Sequence, residues 1–295
     1  MISTEIIDYI RQEIANINKE LFDVQHSIWS NPETRFKEHF AHDTLTSYME
    51  KQEGWKVSKH TFGLETSFDC TFTNEPEKNP TVISFNSEYD ALPGIGHSCG
   101  HNLIAIAGVV AALSVSKAMQ KFNLPGTVKL FGTPGEEGGG GKIKMVEAGA
   151  YDKVDVSLMC HPMNHINGAY FKSYANSINK VEFFGKTAHA AVAPWEGVNA
   201  LDALVITYNA ISVLRQQFRP GDIMQCVFSD AGESANIITG YSAGEFRVRG
   251  PTIQRVKELR KCLINCVKAG SIATGCEYKI EEQTAYADMI SNEII

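Results

Sequence analysis

Apolar residues recur every three or four positions early in the chain: Ile6, Ile7, Ile10, Ile14, Ile17, Leu21, Val24 and Ile28 form one stripe. That spacing predicts an amphipathic helix over 4–30, followed by a second helix from about Glu38 to Met49. The period then shortens to two. Trp55–Phe62, Phe68–Thr73 and Thr81–Asn86 read as strands, with turn chemistry at Asn74-Glu75-Pro76 and Asn79-Pro80. Asn102–Lys121 is almost wholly apolar over its first turns, which predicts a buried helix. Thr127–Gly132 reads as a strand, Glu137–Ala148 as a helix and Val154–Cys160 as another strand. Helices alternating with strands predict an α/β layer architecture with a mostly parallel sheet.

The second half has a different rhythm. Strands are expected at Asn176–Phe184, Ile223–Ser229, Ala243–Arg249 and Cys276–Glu282, and helices at Val198–Gln217 and Thr252–Thr274. The order βαββαβ is the split unit of ferredoxin-like domains. A domain boundary is expected near Ser173–Asn176.

Composition narrows the function classes. The net charge is −7, with no basic block to neutralise phosphates, so a general nucleic-acid partner is excluded. No signal peptide is visible in residues 1–30 and no apolar run is expected to span a membrane. The seven cysteines are odd in number and scattered, which reads as reduced thiols in a cytoplasmic protein.

The candidate chemistry lies at predicted strand ends, where open α/β sheets place their sites. The stretch Glu88-Tyr-Asp-Ala-Leu-Pro-Gly-Ile-Gly-His-Ser-Cys-Gly-His101 follows one strand, Glu136-Glu137 with four glycines follows a second, and His161 follows a third. Cys99 alone would read as a buried thiol, but Gly100 lets Cys99 and His101 turn toward one centre. Thiolate, imidazole and carboxylate together suit a transition metal, with zinc favoured and manganese or cobalt compatible. On an irregular backbone one carboxylate of the Glu pair can bind metal while its neighbour serves as general base. Asp90 is placed to fix an imidazole tautomer from behind. A Cys99–His nucleophile pair is a competing reading that leaves both glutamates idle. The glycine run is not a phosphate cradle, since Glu136 stands where the Walker pattern needs Gly and Ile143 where it needs Ser or Thr.

These residues resemble the M20 metallopeptidases, in the amidohydrolase/aminoacylase branch near the M20 domain-containing dipeptidases and aminobenzoyl-glutamate hydrolases. The resemblance rests on Asn31-Pro-Glu33, Glu88–Gly94, Gly96-His-Ser-Cys-Gly-His-Asn102, Gly132–Lys142, Met159-Cys-His-Pro162, Phe184–His189 and Gly197–Ala203. It implies a two-metal site with Cys99, His101, Glu137 and His161 as ligands and Glu136 as general base. It also implies metal-dependent hydrolysis of an amide bond in a dipeptide or N-acyl amino acid. The βαββαβ segment is implied to be a lid that forms a homodimer, with His189 stabilising the oxyanion and Asn236 and Arg247 binding the substrate or its carboxylate.

On that resemblance 1–174 is a catalytic domain, 175–284 an inserted lid and dimerisation domain, and 285–295 the start of a return to the first. No His follows His189, so the implied ligand set is one short and the chain is expected to be truncated. The alternative reading is a catalytically incompetent fragment, at most a dimerisation partner.

Overall fold

The computed structural model describes residues 3–74, 80–164, 168–169 and 172–290; the turn expected within 75–79 lies outside them. α1 (Thr4–Ser30) starts at Ser3, whose hydroxyl accepts the Glu5 N–H at 3.3 Å, and buries Ile17, Leu21 and Ile28 of the predicted stripe. α2 (His39–Met49) has two of its first-turn N–H groups, those of Phe40 and Ala41, capped by the Glu33 carboxylate at 3.0 and 3.1 Å. β1 (Lys56–Lys59) is shorter than the 55–62 expected, because His60 and Phe62 adopt φ of 55° and 54°, outside the extended region.

β2 (Phe68–Asn74), β3 (Val82–Ser87), α3 (His101–Lys121) and β4 (Gly126–Gly132) follow. Then come the single turn α4 (Glu136–Gly139), α5 (Gly141–Glu147) and β5 (Val156–Leu158). The helix expected over 137–148 is broken in two, since Glu137 at ψ 71° and Gly138 at φ 86° leave helical space.

The sheet order is β1-β2-β4-β3-β5. β3 runs parallel to β4 and β5, whereas β2 runs antiparallel to β1 and β4. The sheet is therefore mixed where a mostly parallel one was expected. A parallel pair needs a long crossover, which α3 provides between β3 and β4; β1 and β2 have no helix between them and pair as a hairpin.

α3 corrects one expectation. Its most apolar stretch has mean hydropathy 1.7, and it is long and apolar enough by composition to cross a membrane. It is the core helix of this unit, 61 % of that stretch buried, with Ala105, Val109 and Leu113 packed among Leu21, Leu45, Phe68, Val128 and Leu130.

The chain divides into two compact units, Met1–Ile166 and Asn167–Ile295. In the second, β6 (Ala175–Phe184), α6 (Ala200–Leu214), β7 (Ile223–Asp230), β8 (Tyr241–Gly250), α7 (Ile253–Thr274) and β9 (Glu277–Tyr286) follow one another. All pairings are antiparallel, in the order β7-β8-β6-β9. α6 and α7 bring Leu204, Ile211, Leu259, Leu263 and Val267 onto Phe183, Phe246 and Val248 of the sheet. The helices meet closely at Gly270, where a Cβ would stand 2.4 Å from the Ala203 carbonyl oxygen.

Candidate metal centre

Side chains alternate along the extended chain leaving β3. Tyr89 turns inward, stacking on Phe68 at 5.9 Å and donating its hydroxyl to the Thr66 carbonyl. Glu88 and Asp90 therefore turn the other way, and each is 1 % exposed. Asp90 Oδ1 lies 3.0 Å from His101 Nδ1, and Oδ2 accepts the Glu137 N–H at 2.8 Å. Burial pushes the Asp90 carboxyl up, but the His101 and backbone hydrogen bonds outweigh it and hold the group below the usual range. His101 is raised: burial opposes the charged form, and the Asp90 hydrogen bond and Glu88 charge overcome it.

Gly100 separates Cys99 from His101 in a left-handed conformation, φ 79°. A side chain there would also strike Pro162, whose Cγ would lie 2.7 Å from the new Cβ. That close approach brings the 160–162 segment over the start of α3. His161 Nδ1–H donates to the Pro162 carbonyl at 2.8 Å, which turns its Nε2 to Cys99 Sγ at 3.6 Å. The His101 and His161 rings stand nearly perpendicular, 6.1 Å apart.

The two glutamates sit beyond β4 on a turn that begins at Gly135, φ 67°. Three residues from the N-terminal segment hold that turn. The Glu38 carboxylate, fully buried, accepts the N–H groups of Phe36 and Gly135 at 2.8 and 2.9 Å and the Thr66 hydroxyl at 2.7 Å. Arg35 Nη1 donates to the Glu137 carbonyl at 3.3 Å. The Phe36 ring lies over the glycine run: Cβ atoms on Gly135 and Gly139 would come within 2.7 and 2.4 Å of it. The glycines are needed because that ring occupies the space of their side chains. Burial first, then the Glu88 charge, raises the Glu136 carboxyl above its ordinary range.

Cys99, His101 and His161 bring their ligand atoms within 4.8 Å of one another, and His101, Glu136 and Glu137 do the same. The arrangement fits a cation. His101 Nε2 is fully buried and has no hydrogen-bond partner among the described residues, because Asp90 takes the other ring nitrogen. An imidazole oriented by a carboxylate, with its second nitrogen facing a thiol and carboxylates, is the arrangement that suits metal ligation. A free Cys99 nucleophile is disfavoured. Burial and the Glu137, Glu136 and Glu88 carboxylates push its thiol up to about 12, opposite to the shift a thiolate nucleophile needs.

In the second unit His189 and Asn236 are neighbours. His189 bridges to Ile237, and the Ala190 N–H donates to the Asn236 carbonyl at 3.0 Å. Both are exposed, and the Asn236 side chain accepts the Ser234 hydroxyl at 2.5 Å. Arg247 stands mid-strand in β8 on the face opposite Phe246 and Val248, with Glu245 Oε1 3.4 Å away. Residue patterns alone do not single out Glu88, Glu38, Arg35 or Phe36. Glu88 carries a usable signal, since residues two apart on an extended chain share a face and Asp90 is the other member of that pair.

The profile of peptidase family M20/M25/M40 matches residues 76–287. The Xaa-Arg dipeptidase of Mus musculus is 40 % identical over 96 % of this chain and 68 % of its own length. A p-aminobenzoyl-glutamate hydrolase chain of Escherichia coli is 28 % identical over 99 % of this chain and 63 % of its own. The chain thus spans about two thirds of these relatives. Among solved structures, an aminobenzoyl-glutamate utilization protein from Klebsiella pneumoniae superimposes at TM-score 0.77, with 17 % identity over 98 % of this chain and 80 % of that one. A dinuclear metal binding peptidase of the M20 family from Bacillus subtilis superimposes at 0.69, with 17 % identity over 95 % and 77 %. With the profile covering most of the sequence and a 40 % identical relative along nearly all of it, the chain belongs to peptidase family M20/M25/M40.

Proposed function

We propose that this chain carries the site of a metal-dependent hydrolase that cleaves an amide bond in a dipeptide or N-acyl amino acid. The observation that carries the reading is the buried, unpartnered Nε2 of His101, aimed at a thiol and two carboxylates by Asp90. Cys99, His101, Glu137 and His161 would hold the ion. A thiolate among imidazoles favours zinc, and manganese or cobalt are compatible. When bound, such an ion supplies Lewis acidity and lowers the pKa of its water toward about 7.

Glu136 takes the proton of the attacking water and returns it to the leaving amine. Its raised carboxyl suits that exchange, since a base works best with a pKa near the working pH. Asp90 keeps the His101 proton on Nδ1, so that Nε2 stays free to bind. His189 is assigned to the developing oxyanion, and Asn236 and Arg247 to the substrate and its carboxylate. The exposure of His189 and its pairing beside Asn236 support those roles.

The strand order β7-β8-β6-β9 with two helices on one face supports a ferredoxin-like lid at 175–284, with 1–174 as the catalytic domain. Exposed Val205, Tyr208 and Val213 on α6 and Val227 and Phe228 on the edge strand β7 support homodimerisation through it. The names of the relatives favour dipeptides and p-aminobenzoyl-glutamate as first substrates. The test is a mass-detected hydrolysis screen of dipeptides, acyl amino acids and aminobenzoyl-glutamate, with and without a chelator. Metal-dependent release of an amine is expected; chelator-resistant turnover would return the case to Cys99.

A further inference from the structure

The proposed mechanism leaves Glu88 without a task. It lies one residue beyond β3, and its side chain is 1 % exposed against 37 % for Glu136 and 25 % for Glu137. An ionised carboxylate so deeply buried is costly unless its charge is compensated. Half of the compensation is visible. The Lys142 ammonium lies against Oε1.

Oε2 receives no hydrogen bond from the described residues. It stands 3.4 Å from His101 Nε2, which is also buried and also lacks a partner. Two buried polar atoms therefore face one another with no hydrogen bond to either from the described residues. Three occupants of that gap can be compared by length. A proton on Nε2 gives a charge-assisted bond, whose length of about 2.7–2.9 Å is well under the separation observed. A single water donating to both atoms would hold them about 4.5 Å apart. A tetrahedral zinc ion, bonded at about 2.0–2.1 Å to nitrogen and 2.0–2.2 Å to oxygen, holds them about 3.3–3.5 Å apart. Only the cation matches 3.4 Å.

We infer that Glu88 is a further metal ligand, sharing an ion with His101 through Oε2, while Lys142 balances its charge through Oε1. The inference rests on the metal-hydrolase reading above. It gives Lys142 a function as well: the ammonium limits the negative charge gathered around His101.

The test uses the full chain and zinc alone, with affinity read by chelator competition and ligand field by the visible absorption of the cobalt-substituted protein. Glu88→Gln, which keeps the shape and removes the charge, should weaken zinc binding at least about tenfold and alter the cobalt spectrum. Lys142→Met should hold zinc as tightly as the parent or more so, because the local negative charge rises. Unchanged affinity in Glu88→Gln overturns the inference, and so does weaker affinity with an unchanged cobalt spectrum, which would place Glu88 outside the ligand set. Should Glu88→Gln fail to fold, a zinc-bound crystal of the parent chain decides: Oε2 at about 2.0–2.2 Å from the ion supports the assignment, and a distance beyond about 3 Å ends it. A parent chain that takes up no zinc, manganese or cobalt would defeat the hydrolase reading itself.

Discussion

Asp90 Oδ1 and His101 Nδ1 lie 3.0 Å apart with both side chains wholly shielded from solvent, while the other Asp90 oxygen holds the Glu137 backbone. One carboxylate thus sets the tautomer of an imidazole and the position of the glutamate turn. Asp90→Asn should cut zinc affinity by about 10- to 100-fold, since its amide cannot replace both acceptor contacts. Chelator competition measures this, and circular dichroism separates it from unfolding.

Glu136→Gln keeps the side chain's volume but removes the proposed base. With metal saturating, kcat should fall at least about a hundredfold while zinc content stays at the parent level. Near-normal turnover by that variant would remove Glu136 from the mechanism.

The Glu38 carboxylate accepts three donors and has no solvent contact. A Gln in its place keeps Oε1 on the two backbone N–H groups only by turning its NH2 to Thr66, whose hydroxyl must then reverse from donor to acceptor. The loss should be about 1–3 kcal/mol in urea unfolding. It should be accompanied by a fall in kcat larger than any change in KM, because Gly135 anchors the turn that carries Glu136, the proposed base.

In the second unit Arg255 forks onto Asp222, with Nε to Oδ1 at 3.0 Å and Nη2 to Oδ2 at 2.6 Å. The Arg255 hydrogen bond is the main reason that the Asp222 carboxyl is held below its ordinary value of 3.8. A carboxyl lowered on folding stabilises the native state above its unfolded pKa and loses that contribution as pH falls through the folded one. Arg255→Leu should therefore cost stability at neutral pH, by about 1.5–3 kcal/mol. The difference from the parent should shrink as the pH drops below 3.8. Thermal melts across that range give the answer.

Light scattering at micromolar concentration should find a dimer. Val213→Asp and Tyr208→Asp on α6 should shift it toward monomer, and a stable interface needs about 1,000 Å² or more of buried surface. A monomeric parent chain would end the lid-dimer proposal.

Much of this was legible in residue patterns, for identifiable reasons. The stripe of α1 is a local signal, and both α1 and α7 begin and end within a residue of expectation. That Cys99, His101 and His161 come together, and His101 with Glu136 and Glu137, was legible because each stands near a strand or helix end beside Gly or close to one. Sheet polarity was not, since β1 and β2 alternate as any strands do and only their connection decides direction. Glu38 and Phe36 were invisible because their partners lie about a hundred residues away; the Glu38 contact to Gly135 spans 97 positions.

Phe36 seated on the glycine run has a kinetic consequence. The Arg35 contact to Glu137 closes a loop of 102 residues, so no short stretch of chain can rehearse this turn before the sheet has assembled. Contacts of such separation form late and slowly, after local helices and hairpins. During refolding, uptake of metal should trail the burial of Phe68 and Leu130, and a peptide spanning only 86–162 should never acquire the site.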